Sequence, residues 1–328
     1  MGRNWRYLST ALSSNLEHKR TMTNIGQNGT MSLHPEIQAI TAAMPSRSFA
    51  DMGVDEARRA HAAGAAARPK GPEMADVTEV VVGGCEVTRL RPKNADGSAV
   101  VFFHGGGWVL GSRETHDGPC RHLAEKSAAT VFNVEYRLAP ENPFPAAYED
   151  AVEVIRSLLA GSDSSIDASR VAVAGDSAGG NLAVAAALTL RDDAVVPAAV
   201  LLIYPALDAT MSTPSYLEFA DGPFLTASEM VWFYGAYGQG TDPKDPRLSP
   251  AWAAKLDGLP STLVITASHD VLRDEGEEFA RAMALAGCEV SASRHVGTTH
   301  GFFGWTHAAA PSRTAMTLAA GWLSETLG

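Results

Sequence analysis

Apolar positions along the chain follow two spacings, and the change from one to the other maps the elements. From Met31 to about residue 72 they recur at helical intervals. MSLHPEIQAI, from Met31, opens one amphipathic stretch, and residues 49–67 (FADMGVDEARRAHAAGAAA) form a second, alanine-rich one. Pro45, Pro69 and Pro72 punctuate them. Both predict helices that cover something rather than join a sheet. Strand spacing then takes over. Residues 77–82 and 85–90 are short β-rich runs joined by Gly83-Gly84, a hairpin signal. Residues 99–103 are apolar throughout, as expected of a strand buried on both faces.

Helices and strands alternate from there. The pattern predicts a helix over 114–128, a strand over 130–134, a helix over 145–159, a strand over 171–174, a helix over 181–191 and a strand over 198–204. After an interruption come a strand over 261–267, a helix over 274–286, a strand over 288–295 and a helix over 308–327. Such alternation predicts an α/β domain with a parallel sheet covered on both faces. Its working edge lies at the carboxyl ends of the strands. The interruption holds an aromatic helix over 226–237 (TASEMVWFYGAY), opened by Thr226 with Glu229 three residues on, a capping box. An insertion at a strand's carboxyl end is where a lid belongs. The expected organisation is a catalytic domain of residues 77–206 and 253–328 under a helical cap of residues 31–76 and 207–252. Residues 1–30 carry Arg3, Arg6, Lys19 and Arg20 against Glu17 and lack apolar periodicity. They read as a disordered extension or as translation from an upstream start.

Composition narrows the function. At 328 residues, 45% hydrophobic and 19% charged, the chain is ordinary for a globular protein with a large core. A net charge of −11 without a basic stripe argues against nucleic acid. No apolar run approaches the roughly 18 residues that a membrane helix requires. Cys85, Cys120 and Cys288 are far apart, without ligand spacing, which opposes a disulfide framework and a zinc site and points to the cytoplasm. There is no GxxxxGK[ST], nor a GxGxxG opening a helix, so phosphoryl and hydride transfer lose support, and no cofactor or metal is expected.

The stretch RVAVAGDSAGGNL, residues 170–182, places G-x-S-x-G where an apolar strand meets a helix. At such a junction it is a nucleophile elbow, in which the turn pushes the Ser177 hydroxyl out above the sheet. A serine hydroxyl needs a base, an orienting acid and an oxyanion hole to react. His104-Gly105-Gly106-Gly107 follows the strand over 99–103, and its amides can turn toward a substrate oxygen. Gly105, Gly106 and Ala178 are the expected oxyanion donors. The acid belongs after the strand over 261–267. Asp274 there is explained as a helix cap, so Asp270 is the expected acid. Of ten histidines, His300 is the expected base because it lies in a short loop after the last strand. His295 closes that strand, His307 begins the final helix and His269 adjoins the acid. A zinc site built on His295 and His300 has no matching carboxylate or thiol cluster. Asp176 is expected beside the pocket, holding the elbow by local hydrogen bonds. Trp108, Trp232, Phe233 and Tyr237 are expected to wall the pocket.

With these pieces the sequence resembles the bacterial hormone-sensitive lipase family of α/β-hydrolase esterases, in its GDSAG branch. The motifs that carry the resemblance are HGGGW (104–108), YRLAPE (136–141), GDSAGGNL (175–182), YPALD (204–208), DVLRDEG (270–276) and HGFF (300–303). They run in family order through most of residues 31–304. Val271 stands where the family usually has proline, and His295 where it usually has an aromatic residue. The resemblance implies an eight-stranded, mostly parallel sheet under a helical cap, with Ser177, Asp270 and His300 as the triad and with His104 and Gly107 supporting the oxyanion loop. It implies a carboxylesterase for small-molecule esters and a homodimer paired through the last strand, and the compact aromatic cover expected of residues 226–237 with Trp108 limits the acyl chain to short or medium length. Two rivals stand beside it. One is a silent ligand-binding module, as in plant gibberellin receptors, which resemble this family but lack a working triad. The other is an amidase or peptidase using the same machinery.

Overall fold

The computed structural model describes residues 32–44 and 47–328. The expectations for residues 1–30, for Met31 and for Pro45 lie outside the described residues. Eight strands form one sheet: β1 (Asp76–Val82), β2 (Cys85–Arg91), β3 (Ala99–Phe103), β4 (Thr130–Glu135), β5 (Val171–Asp176), β6 (Ala199–Ile203), β7 (Ser261–His269) and β8 (Val290–Thr299). Their order across the sheet is β1-β2-β4-β3-β5-β6-β7-β8. β2 runs antiparallel to both β1 and β4, and the remaining pairs are parallel. This is the α/β-hydrolase fold.

The helices among the described residues are α1 (Pro35–Ala42), α2 (Val54–Ala66), α3 (Arg113–Ser127), α4 (Ala146–Leu159), α5 (Ala178–Leu190), α6 (Pro214–Glu218), α7 (Ala227–Tyr237), α8 (Arg273–Leu285) and α9 (Ala310–Leu327). None is long and apolar enough to cross a membrane. The sheet divides the core in two, because alternate strand residues face opposite sides. Val101, Phe103 and Val173 enter the half that also holds residues of α4 and α5. Val100, Phe102, Ala172 and Ala174 enter the half that holds residues of α3 and α9. α5 sits behind the nucleophile and is buried almost all round, so it has no polar face to present to water.

The alignment of strand ends positions the site. In register, Phe103 is beside Gly175, and Asp176 is beside Ile203. The end of the sheet departs from expectation. β8 does not stop at His295, which pairs with Ala267; an irregularity between Ala267 and His269 lets both strands continue until His269 meets Thr299. Gly297, at φ 74°, donates to Ser268 Oγ at 2.9 Å, and Thr299 Oγ1 donates to the His269 carbonyl at 3.0 Å. The bulge therefore carries His300 out directly on the strand end. Two helix starts also differ. α5 begins at Ala178, since the Gly-Gly pair that reads as turn is already helical. α8 is preceded by Leu272, and Asp274 does not cap it.

The segments before β1 do two different jobs. α1 is fastened to the last strand and helix: the His34 N–H donates to the Gly297 carbonyl at 2.8 Å, and Glu36 accepts from the Ala310 N–H. Residues 49–68 instead lean over the strand ends with α7, where Glu229 accepts hydrogen bonds from the Ser48 hydroxyl (2.8 Å) and the Phe49 N–H (3.1 Å). The Thr226–Glu229 capping box read from the sequence is present.

Candidate active site

The turn after β5 forces Ser177 to φ 57° and ψ −119°, a conformation that a non-glycine residue adopts only under constraint. Neighbouring backbone holds it there. The Ser177 N–H donates to the Ile203 carbonyl at 2.8 Å, and the Ser177 carbonyl accepts from Asn181 and Ala206. Gly179 permits the turn by absence: a methyl at that position would stand 1.9 Å from the Phe103 carbonyl oxygen.

Three loops converge on this serine. His300 Nε2 is 2.9 Å from Ser177 Oγ, and His300 Nδ1 is 2.7 Å from Asp270 Oδ2. Asp270 Oδ1 accepts the Leu272 N–H at 3.0 Å, which fixes the plane of the carboxylate. All three side chains are buried, Asp270 almost completely. Tyr204 packs against the imidazole at 4.5 Å between ring centroids, and Phe224 stacks over it at 6.5 Å. In that setting Nδ1 holds the proton facing Asp270, and Nε2 is the lone-pair nitrogen facing the hydroxyl.

The oxyanion loop departs from expectation at one donor. The Gly105 N–H already donates to Asp176 Oδ1 at 2.8 Å, so it is not free for a substrate oxygen. No acceptor among the described residues takes the N–H of Gly106, Gly107 or Ala178. The amides left free beside Ser177 are therefore one residue further along the loop than expected. Asp176 is likewise not a local brace of the elbow. It reaches across to the loop after β3 and also sits 3.3 Å from His116 Nε2. Burial alone would raise its carboxyl pKa, but the His116 imidazole and the Gly105 N–H outweigh this and hold it below the usual range. His104 is sealed beneath the loop, with Nδ1 2.8 Å from the Gly105 carbonyl and its ring stacked on Tyr136 at 4.3 Å. Burial, with His116 adding, pushes its pKa down to about 3, so it is a neutral spacer.

A cavity of ≈ 100 Å³ opens over Ser177. Of the residues expected at the pocket, Trp108, Phe233 and Asp176 line it and Trp232 and Tyr237 do not; Gly107, expected to support the loop, lines it too. The α-helical period explains the difference. Phe233 faces the loop, Tyr237 turns inward to stack on Trp108 at 4.7 Å, and Trp232 packs against Phe233 from the side. Sequence reading missed Phe49, His61, Arg68, His116 and Met230, which also line the cavity. None belongs to a motif, and the alanine-rich run around His61 signals only a helix. Glu275 was missed as well. Buried behind Leu207, whose N–H it accepts at 2.6 Å, it has its carboxyl pKa raised by burial.

Gly107 carries a prediction. Its φ is 61°, and a methyl there would stand 2.0 Å from the Phe233 ring. Gly107→Ala is expected to cost about 1–3 kcal/mol of stability and, by displacing the oxyanion loop, on the order of 10² in kcat. Melting temperature and turnover of a soluble ester check this. Adding Phe233→Ala should recover part of the loss; no recovery would show that the backbone conformation, not the contact with α7, is limiting.

Comparison with known proteins points the same way as the geometry. The alpha/beta hydrolase fold family matches residues 100–304. The chain is 38% identical over 289 residues to the carboxylic ester hydrolase LipN of Mycobacterium tuberculosis, covering 82% of this chain and 77% of that protein. It is 37% identical to an ethyl acetate hydrolase of Pseudomonas putida, over 66% of this chain and 70% of the relative. Among solved structures, it is similar to the hyperthermophilic esterase of the archaeon Pyrobaculum calidifontis. There the TM-score is 0.85 at 36% identity, with 91% of this chain and 100% of that chain covered.

Proposed function

The chain belongs to the α/β-hydrolase family, in its bacterial hormone-sensitive lipase group of esterases, and from that premise we propose a carboxylesterase that cleaves short- to medium-chain acyl esters through Ser177, His300 and Asp270. The carrying observation is the unbroken relay of 2.7 Å and 2.9 Å from Asp270 through His300 to Ser177. His300 removes the hydroxyl proton as Ser177 Oγ attacks the ester carbonyl. The oxyanion that forms is met by the free N–H groups of Gly106, Gly107 and Ala178, on the loop that Asp176 anchors through Gly105. Protonated His300 then gives its proton to the departing alcohol, and the acyl group stays on Ser177. Water, deprotonated by the same imidazole, releases the acid. Asp270 holds the tautomer and stabilises the imidazolium throughout. This complete relay weighs against the silent, receptor-like reading.

Acyl preference follows from the cavity. Each buried methylene adds about 0.8 kcal/mol of binding until the space is full, and ≈ 100 Å³ fills early. No large apolar side chain is exposed on α2 or α7, so these helices offer no face to a lipid interface. Turnover of a p-nitrophenyl ester series is expected to peak at short to medium chains. Emulsified long-chain triglyceride should give no jump in rate above its solubility limit. A preference for sixteen carbons, or such a jump, would reject the reading. A homodimer built on the β8 edge and a cytoplasmic site of action complete the proposal. They rest on the terminal place of β8 in the sheet and on the three free thiols, and are tested by light scattering and cell fractionation.

A further inference from the structure

The proposed reaction leaves one charged side chain in the cavity without a task. Arg68, two residues past the end of α2, is the one arginine or lysine among the described residues that line it. Its guanidinium lies against the loop after His300, where a methyl at Gly304 would stand 3.2 Å from Nη1. Other buried or half-buried arginines have carboxylate partners: Arg58 has Glu141, Arg121 has Asp117, and Arg273 has both Asp274 and Glu218. No carboxylate among the described residues lies within 4.0 Å of Arg68, and none of its nitrogens forms a side-chain hydrogen bond there.

The carboxylates of the cavity are otherwise engaged. Asp176 is held by the Gly105 N–H and by His116, while Glu229 is held by Ser48, Phe49 and Thr226. His61 adds no charge, because burial above all pushes its pKa down to about 4. Burial also lowers the pKa of Arg68 itself, with Tyr204 and Asp176 acting in the opposite direction. A poorly solvated cation without a partner favours an anion that arrives from outside. A second cavity of ≈ 200 Å³ shares Ala65, Arg68, Thr115, Pro119 and Gly304 with the first and adds Lys70. Its acidic residues are also occupied, Asp117 by Arg121 and Glu114 by Ser112. Arg68 thus stands where the space over Ser177 adjoins a second, basic-edged one.

We propose that Arg68 is the recognition group for a carboxylate carried by the ester substrate, so that the substrate class is a carboxylate-bearing ester. The inference rests on the esterase reading. A carboxylate fits because one guanidinium pairs with it in a two-point fork, whereas the Asp176 charge close by disfavours a dianion such as phosphate. The carboxylate can sit on the acyl or the alcohol side of the ester, and substrates separate the two. Mono-p-nitrophenyl succinate, glutarate and adipate place it on the acyl side, with p-nitrophenyl butyrate, valerate and hexanoate as neutral partners. The acetate ester of 4-hydroxybutyrate places it on the alcohol side, with butyl acetate as partner.

The readout is the ratio of kcat/KM for each charged ester to that of its neutral partner. In the wild-type protein that ratio should exceed one on one of the two sides. It should fall about 10- to 100-fold in Arg68→Gln, the range typical of a hydrogen bond to a charged group, and be partly kept in Arg68→Lys. A ratio below one on both sides, or one that Arg68→Gln leaves unchanged, overturns the inference. Binding of glutarate by calorimetry decides the matter without turnover. Glutarate should bind wild type more tightly than Arg68→Gln by a similar factor, and equal binding overturns the site. If no ester were hydrolysed, the esterase reading would fall while the glutarate comparison still judged Arg68.

Discussion

Ser177→Ala, His300→Ala and the double variant are expected to lose kcat by nearly the same factor, on the order of 10⁶, because the two groups act as one unit. The geometry gives the reason. In the proposed mechanism His300 Nε2, 2.9 Å from Ser177 Oγ, is the base that makes the hydroxyl nucleophilic, and without either partner the other has nothing to do. Residual turnover would then come from the oxyanion donors and binding alone, which none of the three variants touches. Single and double variants assayed side by side on one soluble ester make the comparison. If the double variant were slower than each single one by the product of their losses, the two residues would be acting independently and the relay would be wrong. His295→Ala is the control. His295 pairs with Ala267 in mid-strand, away from the cavity lining, and its loss should leave kcat near wild type.

Asp270→Asn should lower kcat by about 10⁴ through the tautomer it selects. With the amide oxygen retained on the Leu272 N–H, where Oδ1 now sits at 3.0 Å, the amide nitrogen takes the place of Oδ2 and faces His300 Nδ1. A donor there forces the proton onto Nε2, which then points a hydrogen at Ser177 instead of a lone pair. Asp274→Asn is the matched control. Asp274 accepts from the Ser215 N–H at 2.8 Å and from Arg273 Nε at 2.7 Å, so it fastens α6 to the start of α8. Its replacement should cost about 1 kcal/mol of stability and leave kcat near wild type. Equal kinetic losses in the two variants would remove Asp270 from its assigned role.

These controls mark where sequence reading stopped. Asp274 reads as a helix cap because it is an acidic residue at a helix start, a local rule that is often sufficient. The structure gives that carboxylate to Ser215, 59 residues away in the chain, and no local rule contains such a partner. Asp176 fails in the same way: its position in GDSAG suggests a local brace, but its acceptor serves Gly105, 71 residues earlier. The same bond leaves Gly105 without a free N–H for a substrate oxygen.

By itself the sequence determined whatever depends on short-range periodicity and on turn stereochemistry. The buried strands β3, β5 and β6 are apolar on both faces, and the hairpin of β1 and β2 turns on Gly83-Gly84. The elbow at Ser177 needs residues without side chains around it, and the HGGG run needs them for the same reason. Those constraints leave their mark in the residue types, and Ser177, Asp270 and His300 could be ordered along the chain from them. Tertiary structure decided what depends on distant groups meeting. Because side chains on one helix face turn through the helical period, packing of α7 chose Phe233 for the cavity and sent Tyr237 to Trp108. The bulge between β7 and β8 set the reach of His300. The fold of residues 49–68 over the strand ends brought in His61 and Arg68, and no carboxylate among the described residues lies within 4.0 Å of that arginine.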